Sequence, residues 1–186
     1  MTLTRKDIPN LISILRILLV IPVIAALREH QFGLAMVLFA IAGISDALDG
    51  FLAKHYHWES RLGSILDPLA DKLLLVASFA TLTWLGFLPS WLLWLVLGRD
   101  IMIVFGVLSY HYLFGKVKVH PVWSSKINTL FQIVLVFAVI VQHYAGLAIQ
   151  DWIVIGISLV VVSVVISGAE YILIWGSRAW QQHKSN

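Results

Sequence analysis

The chain has 186 residues, of which 60% are hydrophobic and 12% are charged, and its mean hydropathy is +0.89. This composition is typical of an integral membrane protein and excludes an ordinary soluble globular domain. The formal net charge of +3 is too small to indicate nucleic-acid binding, and the absence of cysteine excludes disulfides and thiol chemistry. The length allows one domain over residues 1–186.

Six apolar segments follow one another, each about as long as a helix that crosses a bilayer. We predict membrane-spanning helices over residues 11–27, 32–53, 63–85, 91–114, 122–144 and 152–175. The first segment carries Arg16 internally and lacks an Ala-x-Ala-like end, so we interpret it as a retained helix and not as a cleaved signal.

Lysines and arginines are divided unevenly between the two ends of these six helices. On one side Arg28 is the only such residue. The other side carries Arg5, Lys6, Lys54, Arg61, Lys116, Lys118, Arg178 and Lys184. By the positive-inside rule, the richer side faces the cytoplasm. The predicted fold is therefore an all-α integral membrane protein with six transmembrane helices and both termini in the cytoplasm.

Four of the ten acidic residues are aspartates that form two pairs between positions 46 and 71, in otherwise mostly apolar sequence. Asp46 and Asp49 are spaced i, i+3, and Asp67 and Asp71 are spaced i, i+4, so on helices each pair points from one face. An ionised carboxylate in apolar surroundings is unfavourable unless a cation or a metal compensates its charge. Carboxylate oxygens suit hard divalent ions, and we predict a metal site formed by these four residues.

The predicted topology places the two acidic pairs at a similar depth. The second helix runs inward and ends near Asp49, whereas the third runs outward and begins near Asp67. At about 1.5 Å per residue, Asp46 would lie on the order of 10 Å below the cytoplasmic surface. A site at that depth can receive a lipid headgroup from the bilayer and a soluble group from the cytoplasm.

The acidic stretch resembles the signature of the CDP-alcohol phosphatidyltransferase family, Asp-x2-Asp-Gly-x2-Ala-Arg-x8-Gly-x3-Asp-x3-Asp. Every spacing is kept, and the matching positions are Asp46, Asp49, Gly50, Ala53, Gly63, Asp67 and Asp71. Lys54 stands where the family has arginine, so the positive charge is kept but the planar bidentate fork is lost.

Members of this family transfer a phosphatidyl group from CDP-diacylglycerol to an alcohol and release CMP. The resemblance implies two divalent ions, Mg²⁺ or Mn²⁺, held by Asp46, Asp49, Asp67 and Asp71, with Asp71 also acting as the base. The residues that it implies for CDP-lipid binding are Asn10, Asp49, Gly50, Ala53, Lys54 and Gly63. It also implies a homodimer in a lipid bilayer, which we expect to be a bacterial inner membrane with the active site facing the cytoplasm.

Other segments resemble the same family, among them Gly98-Arg99-Asp100 and the run from Ser125 to Thr129. The acceptor-binding residues predicted from them are Arg99, Lys126, Asn128 and Thr129. The alternatives are a structural ion pair for Arg99, which lies near mid-bilayer, and an interfacial, snorkelling position for Lys126. We predict a structural role for Asp100, whereas Arg16 and Glu170 receive no single assignment.

These segments look more like the CMP-forming cardiolipin synthases, which use phosphatidylglycerol, than the phosphatidylglycerophosphate synthases, which use glycerol 3-phosphate. Asn128 replaces a lysine that could help to hold a dianionic phosphate monoester. We therefore predict cardiolipin synthesis, with phosphatidylglycerophosphate synthesis as the alternative. A metal carrier or channel is the alternative from another class, but the outward halves of the helices offer it almost no polar path.

Overall fold

The computed structural model describes the backbone of residues 8–56, 63–114 and 123–183, and the side chains of residues 11–45, 69–106 and 123–173. The secondary structure in these ranges is entirely α-helical. Its helices are α1 Ile8–Arg28, α2 Phe32–Tyr56, α3 Gly63–Trp84, α4 Ser90–Phe114, α5 Trp123–Ala145 and α6 Gln150–His183. Each predicted segment corresponds to one helix, so the all-α prediction is confirmed.

The helices end close to the predicted boundaries, with two exceptions. α2 continues to Tyr56 and α6 to His183, beyond the predicted ends at 53 and 175. Both extensions are polar but contain no proline, so each backbone amide can continue the helical hydrogen bonding. The turn after α3 contains Gly86 at a φ of 82°, a conformation that glycine adopts without the steric penalty of a Cβ atom.

Three helical segments in the part of the chain with described side chains are long and apolar enough to cross a bilayer: Leu11–Arg28, Trp123–Ala145 and Gln150–Leu173. Phe32–Ser45 is a shorter apolar helical segment. The membrane-protein prediction is supported by these lengths and compositions. Six membrane crossings and the orientation of the termini stay predictions.

The chain divides into two compact units, and the first comprises Met1–Leu88 and Val136–Ile149. Within it, α1 packs against both α2 and α3. The buried apolar side chains recur at helical spacing on each helix: Val23, Ala26 and Leu27 on α1, Ala35, Phe39 and Ala42 on α2, and Leu75, Phe79 and Leu82 on α3. Since lipid is as apolar as these side chains, close packing and small residues such as Ala35 hold such helices together.

An aromatic cluster joins helix ends within this first unit. The ring of His143 on α5 lies 3.9 Å from the ring of Phe87 and 5.0 Å from the ring of Phe32, measured between centroids. Gly33 lies so close to Tyr144 that a Cβ atom there would come within 2.7 Å of its ring. The start of α2, the turn after α3 and the end of α5 are therefore packed together.

The second unit comprises Pro89–Leu135 and Gln150–Asn186, and in it α4 packs against α6. Val160 and Val164 are buried on α6, and Val96 is buried on α4. α5 contributes its first half to this unit and its second half to the first unit. The polar side chains that this unit buries are described in the next subsection.

Candidate active site

The acidic stretch lies on two helices of the first unit. α2 carries Asp46, Asp49, Gly50, Ala53 and Lys54, and α3 begins at Gly63 and carries Asp67 and Asp71. The helical spacing predicted for each acidic pair is therefore present in the backbone. The side chains of all of these except Asp71, and of Asn10 on α1, lie outside the described side chains. Their roles as metal ligands and CDP-lipid contacts stay predictions.

Asp71 forms an ion pair with Arg16, in which the guanidinium NH1 group donates a hydrogen bond to Oδ1 of the carboxylate. The Arg16 side chain is 1% exposed, whereas that of Asp71 is 42% exposed. A guanidinium in an apolar interior is unfavourable unless a counter-charge accompanies it, and Asp71 supplies that charge. The pair therefore links the interior of α1 to the more open position of Asp71 on α3.

The packing of α1 against α3 brings these two residues together. Arg16 lies eight residues after the start of α1 at Ile8, and Asp71 lies eight residues after the start of α3 at Gly63. This pairing was not predicted from the sequence. The predicted start of the first helix at residue 11 gave Arg16 a different offset from that of Asp71, so the offsets did not suggest it.

The chemistry of the predicted metal-binding set fits a hard divalent cation, because all four residues are carboxylates. Asp71 is partly exposed, so a ligand can reach it. Among the residues whose side chains the structure describes there is no group of three or more histidine, aspartate or glutamate side chains close enough to hold a metal. The side chains of the other three aspartates lie outside the described side chains, so the four-carboxylate metal site stays a prediction.

A second buried arginine lies in the second unit. Arg99 on α4 is 7% exposed. Its NH1 group donates a hydrogen bond of 3.0 Å to Oδ1 of Asp100, and its NH2 group donates one to the hydroxyl of Ser167 on α6. The guanidinium carbon lies 6.0 Å from the centroid of the Tyr171 ring, an arrangement that favours a cation. Arg99 therefore has both the ion pair weighed as an alternative and contacts to α6.

Asn128 on α5 is fully buried. It contacts α6 at Ser163, which lies one turn before Ser167. The hydroxyl of Ser163 lies 2.9 Å from Oδ1 of Asn128 and 2.8 Å from the carbonyl oxygen of Val160, so its proton is shared between two acceptors. Because Ser163 and Ser167 are spaced i, i+4, one face of α6 meets both Asn128 and Arg99. Neither serine was predicted from the sequence as a contact of the candidate site. Their helical spacing within an apolar segment could have indicated a polar face on α6.

The other two predicted acceptor-binding residues have different surroundings. Lys126 is exposed, and its Nζ lies 5.1 Å from the centroid of the Trp123 ring. Thr129 donates a hydrogen bond of 3.1 Å to the carbonyl oxygen of Ser125 one turn before it. The structure thus brings Arg99 and Asn128 to the same face of α6, whereas Lys126 lies at the surface of α5.

Several buried nitrogen donors of the second unit have no hydrogen-bond partner among the described residues. They are Nε of Arg99, Nδ2 of Asn128 and Nε2 of Gln132. Gln132 is also buried and lies one turn after Asn128 on α5. A buried donor without an acceptor is costly, so each of these three nitrogens could donate to an acceptor oxygen of a ligand that reached it.

Comparisons with known proteins identify similar sequences. A family profile described as CDP-alcohol phosphatidyltransferase matches residues 6–173. The cardiolipin synthase (CMP-forming) of Rattus norvegicus is 36% identical over 148 residues, which cover 70% of this chain and 49% of that protein. This chain thus spans about half the length of that relative.

Proteins named for a different activity are also similar to this chain. The probable phosphatidylglycerophosphate synthase of Mycobacterium tuberculosis is 29% identical over 178 residues, covering 90% of this chain and 82% of that protein. The CDP-diacylglycerol–glycerol-3-phosphate 3-phosphatidyltransferase of Aquifex aeolicus is 32% identical over 127 residues, covering 67% of this chain and 70% of that protein. The similar proteins thus divide between those named as cardiolipin synthases and those named for phosphatidylglycerophosphate synthesis or for glycerol 3-phosphate.

Proposed function

The chain belongs to the CDP-alcohol phosphatidyltransferase family, and from this premise we propose that it transfers a phosphatidyl group from CDP-diacylglycerol to an alcohol within a membrane. The observation that carries the proposal is the family match over residues 6–173, which includes the whole acidic stretch. The helical backbone at all four aspartates supports it, since each pair then projects from one helix face.

The acceptor that we propose is phosphatidylglycerol, so that the products are cardiolipin and CMP. The rat cardiolipin synthase is 36% identical to this chain, compared with 29% and 32% for the relatives named for glycerol 3-phosphate or phosphatidylglycerophosphate. The surroundings of Arg99 give a physical reason for the same choice. Its charge is already balanced by Asp100, and Asn128 and Gln132 offer neutral donors. This combination suits a phosphodiester with one negative charge better than a dianionic phosphate monoester.

The proposed reaction is a single displacement at phosphorus. A hydroxyl oxygen of phosphatidylglycerol attacks the phosphorus that bears the diacylglycerol, and a new phosphoester bond forms. The phosphoanhydride bond to CMP breaks, and CMP leaves with the bonding electron pair. The hydroxyl proton passes to the carboxylate of Asp71, whose partial exposure leaves it accessible to an acceptor.

The same carboxylates account for the proposed metal requirement. Asp46, Asp49, Asp67 and Asp71 would hold two divalent ions, Mg²⁺ or Mn²⁺, which when bound neutralise the pyrophosphate and the departing CMP. The proposed CDP-lipid contacts are Asn10, Asp49, Gly50, Ala53, Lys54 and Gly63. Small residues at Gly50, Ala53 and Gly63 would allow a nucleotide to approach the backbone closely. We also propose that the protein acts as a homodimer in an inner membrane with this site on the cytoplasmic side.

Glycerol 3-phosphate is the second candidate acceptor, and one observation favours it. The match to the probable phosphatidylglycerophosphate synthase of Mycobacterium tuberculosis covers 90% of this chain and 82% of that protein, so it is the more complete of the two kinds of match. In that case Lys126, which is exposed on α5, would add the second positive charge that a phosphate monoester needs.

An acceptor screen tests the proposal directly. Purified protein in detergent is supplied with CDP-diacylglycerol and Mn²⁺, together with either phosphatidylglycerol or glycerol 3-phosphate, and CMP and lipid products are measured. We expect cardiolipin and CMP with phosphatidylglycerol, and loss of both products when EDTA is added.

Product formation with glycerol 3-phosphate alone would overturn the choice of acceptor while leaving the phosphatidyl transfer intact. If neither acceptor releases CMP, the proposed transferase activity fails. Mn²⁺ flux across proteoliposomes without CMP release would then favour the carrier or channel.

A further inference from the structure

We propose that Arg16 is a positioning residue for the reaction, which holds the Asp71 carboxylate at one depth and in one orientation. The inference rests on the proposed function, because it assigns a role to a residue through its contact with the proposed base. Arg16 lies on α1, outside the acidic stretch, and the sequence leaves its role undecided. Its position in the fold provides the assignment.

The first support is the difference in exposure across the pair. Arg16 is 1% exposed and therefore closely surrounded, whereas the Asp71 side chain is 42% exposed. The more accessible member of the pair is therefore Asp71, and Arg16 contacts it from the packed interior. Arg16 can influence the reaction through this contact.

The second support is the packing of α1. This helix packs against α2 and α3, the two helices that carry the acidic stretch. Val20 and Val23, which follow Arg16 by one and two turns, are buried on the same side of the helix, and Ser13 precedes it there. The guanidinium thus projects from a closely packed helix face. A rigid donor on such a face limits the rotamers that Asp71 can adopt.

The third support is the choice of arginine at a buried site. A guanidinium stays charged and presents planar donors in a fixed geometry, whereas a lysine ammonium is a flexible point charge. The contact of NH1 with Oδ1 fixes one carboxylate oxygen. Fixing that oxygen also determines where Oδ2 lies, because the carboxylate is planar. A carboxylate that accepts a proton or binds a cation in a defined place requires this kind of restraint.

The proposal makes a prediction that a purely structural ion pair does not. If Arg16 only stabilises the fold, its replacement lowers the melting temperature but leaves the turnover of the folded protein unchanged. If Arg16 orients Asp71, the folded variant binds CDP-diacylglycerol normally but turns it over slowly. The effect then appears in kcat and in metal affinity, and hardly in KM for the CDP-lipid.

The experiment compares Arg16→Met, Arg16→Lys and the control Arg28→Met in the full-length protein in detergent. Arg28 is an exposed arginine in the last turn of the same helix. For each variant, CMP release gives kcat and KM for CDP-diacylglycerol, and paramagnetic resonance of added Mn²⁺ gives metal affinity without substrate.

For Arg16→Met we expect kcat to fall about 100-fold, KM to change less than about threefold, and Mn²⁺ affinity to fall about tenfold, as for other residues that orient a ligand. Arg16→Lys should recover part of the lost kcat because the charge remains, and Arg28→Met should match the wild type. A folded Arg16→Met protein with wild-type kcat would overturn the proposal. So would tighter Mn²⁺ binding, because Arg16 would then act only as a competing positive charge.

A double-mutant cycle covers the case in which Arg16→Met does not fold. Melting temperatures are measured for Arg16→Gln, Asp71→Ala and the double variant, because these changes remove the charge of Arg16 and the whole carboxylate of Asp71. If Arg16 and Asp71 are coupled, the double variant is destabilised by clearly less than the sum of the two single changes, and additive effects would overturn the contact. Failure of the proposed function is distinguishable, since the wild-type protein would then release no CMP with either acceptor.

Discussion

Two arginines are buried among the residues whose side chains the structure describes, and their counter-charges come from residues at different distances along the chain. Arg16 in the first unit pairs with Asp71, which lies 55 positions away on another helix. Arg99 in the second unit pairs with Asp100, its neighbour in sequence, whose side chain is only 12% exposed. Both pairs meet the same physical requirement, that a cation in an apolar interior has a partner.

The difference between the pairs indicates different uses. Asp100 is enclosed together with Arg99, so the ion pair has no net charge. It lies within the second unit and is joined to α6 through Ser167. Asp71 is partly exposed, so its ion pair presents a carboxylate to ligands while Arg16 stays enclosed. A partly exposed carboxylate held by a buried cation can take part in a reaction. An enclosed ion pair stabilises the fold and can bind a neutral or monoanionic group. The comparison can be tested by changing one member of each pair.

The largest expected effect follows Asp71→Asn. Asparagine keeps the shape and can still accept the hydrogen bond from Arg16, but it does not accept the hydroxyl proton. We therefore expect CMP release to fall at least about 1000-fold, while CDP-diacylglycerol still binds, since loss of a general base costs about 10²–10⁴-fold. Single-turnover assays and binding of radiolabelled CDP-diacylglycerol measure the two quantities.

The matched control for this prediction is Asp151→Asn, an exposed carboxylate in the first turn of α6, which should retain full activity. If Asp71→Asn turned over at the wild-type rate, Asp71 would not be the base. Its ion pair with Arg16 would then have no catalytic role that distinguishes it from the ion pair of Arg99.

A smaller effect on turnover is expected for Arg99→Met. This change leaves Asp100 poorly exposed without its cation and removes the bond to Ser167, so we expect a destabilisation of about 3–5 kcal/mol. Where the variant folds, KM for phosphatidylglycerol should rise about tenfold, since hydrogen bonds to charged groups contribute about 1.5–3 kcal/mol. KM for CDP-diacylglycerol should be unchanged.

Asp100→Asn tests the same pair from its other side. It keeps a hydrogen-bond acceptor for Arg99 but removes the balancing charge, so Arg99 becomes a net cation. Under the proposed role of Arg99, this variant should use glycerol 3-phosphate better relative to phosphatidylglycerol than the wild type does. An unchanged acceptor ratio, together with an unchanged KM in Arg99→Met, would limit Arg99 to a structural role.

The smallest effect is expected for Ser163→Ala, which removes the hydrogen bond between α6 and Asn128. Interhelical hydrogen bonds in membrane proteins contribute about 0.6–1.7 kcal/mol, so the melting temperature should fall by a few degrees while kcat stays within about twofold. Ser158→Ala is the matched control, because this exposed serine donates only to the carbonyl oxygen of Val154 in its own helix. Equal effects of the two changes would show that the bond to Asn128 contributes nothing.

The sequence predicted the helices well because lipid demands that every backbone polar group be satisfied within its own segment. A run of about 20 apolar residues therefore indicates one helix, and each of the six predicted segments proved to be one. The prediction was least accurate at the ends of α2 and α6, where polar residues continue the helix and hydrophobicity carries no information. A structural ion pair for Arg99 was also among the alternatives, but its partner was not predicted, because neighbouring side chains on a helix point about 100° apart.

Pairings between helices could not be predicted in the same way. Ser163 and Ser167 are ordinary serines in an apolar segment, and nothing in their local sequence points to Asn128 or Arg99. The burial of Asn128 was equally hidden, because a polar residue at the start of a helix can face water, lipid or protein. Such contacts depend on how each helix is rotated about its axis, and this rotation is decided by packing against the neighbouring helices.

The sequence alone determined the class of protein, the six helical segments and the spacing of the four aspartates. These properties follow from local composition and from the period of the helix, so no tertiary contact is needed to establish them. The tertiary structure decided the partner of Arg16. That partner depends on the packing of α1 against α3, which brings together two residues 55 positions apart. The charge that accompanies Asp71 is therefore a property of the fold, although the carboxylate itself is evident in the sequence.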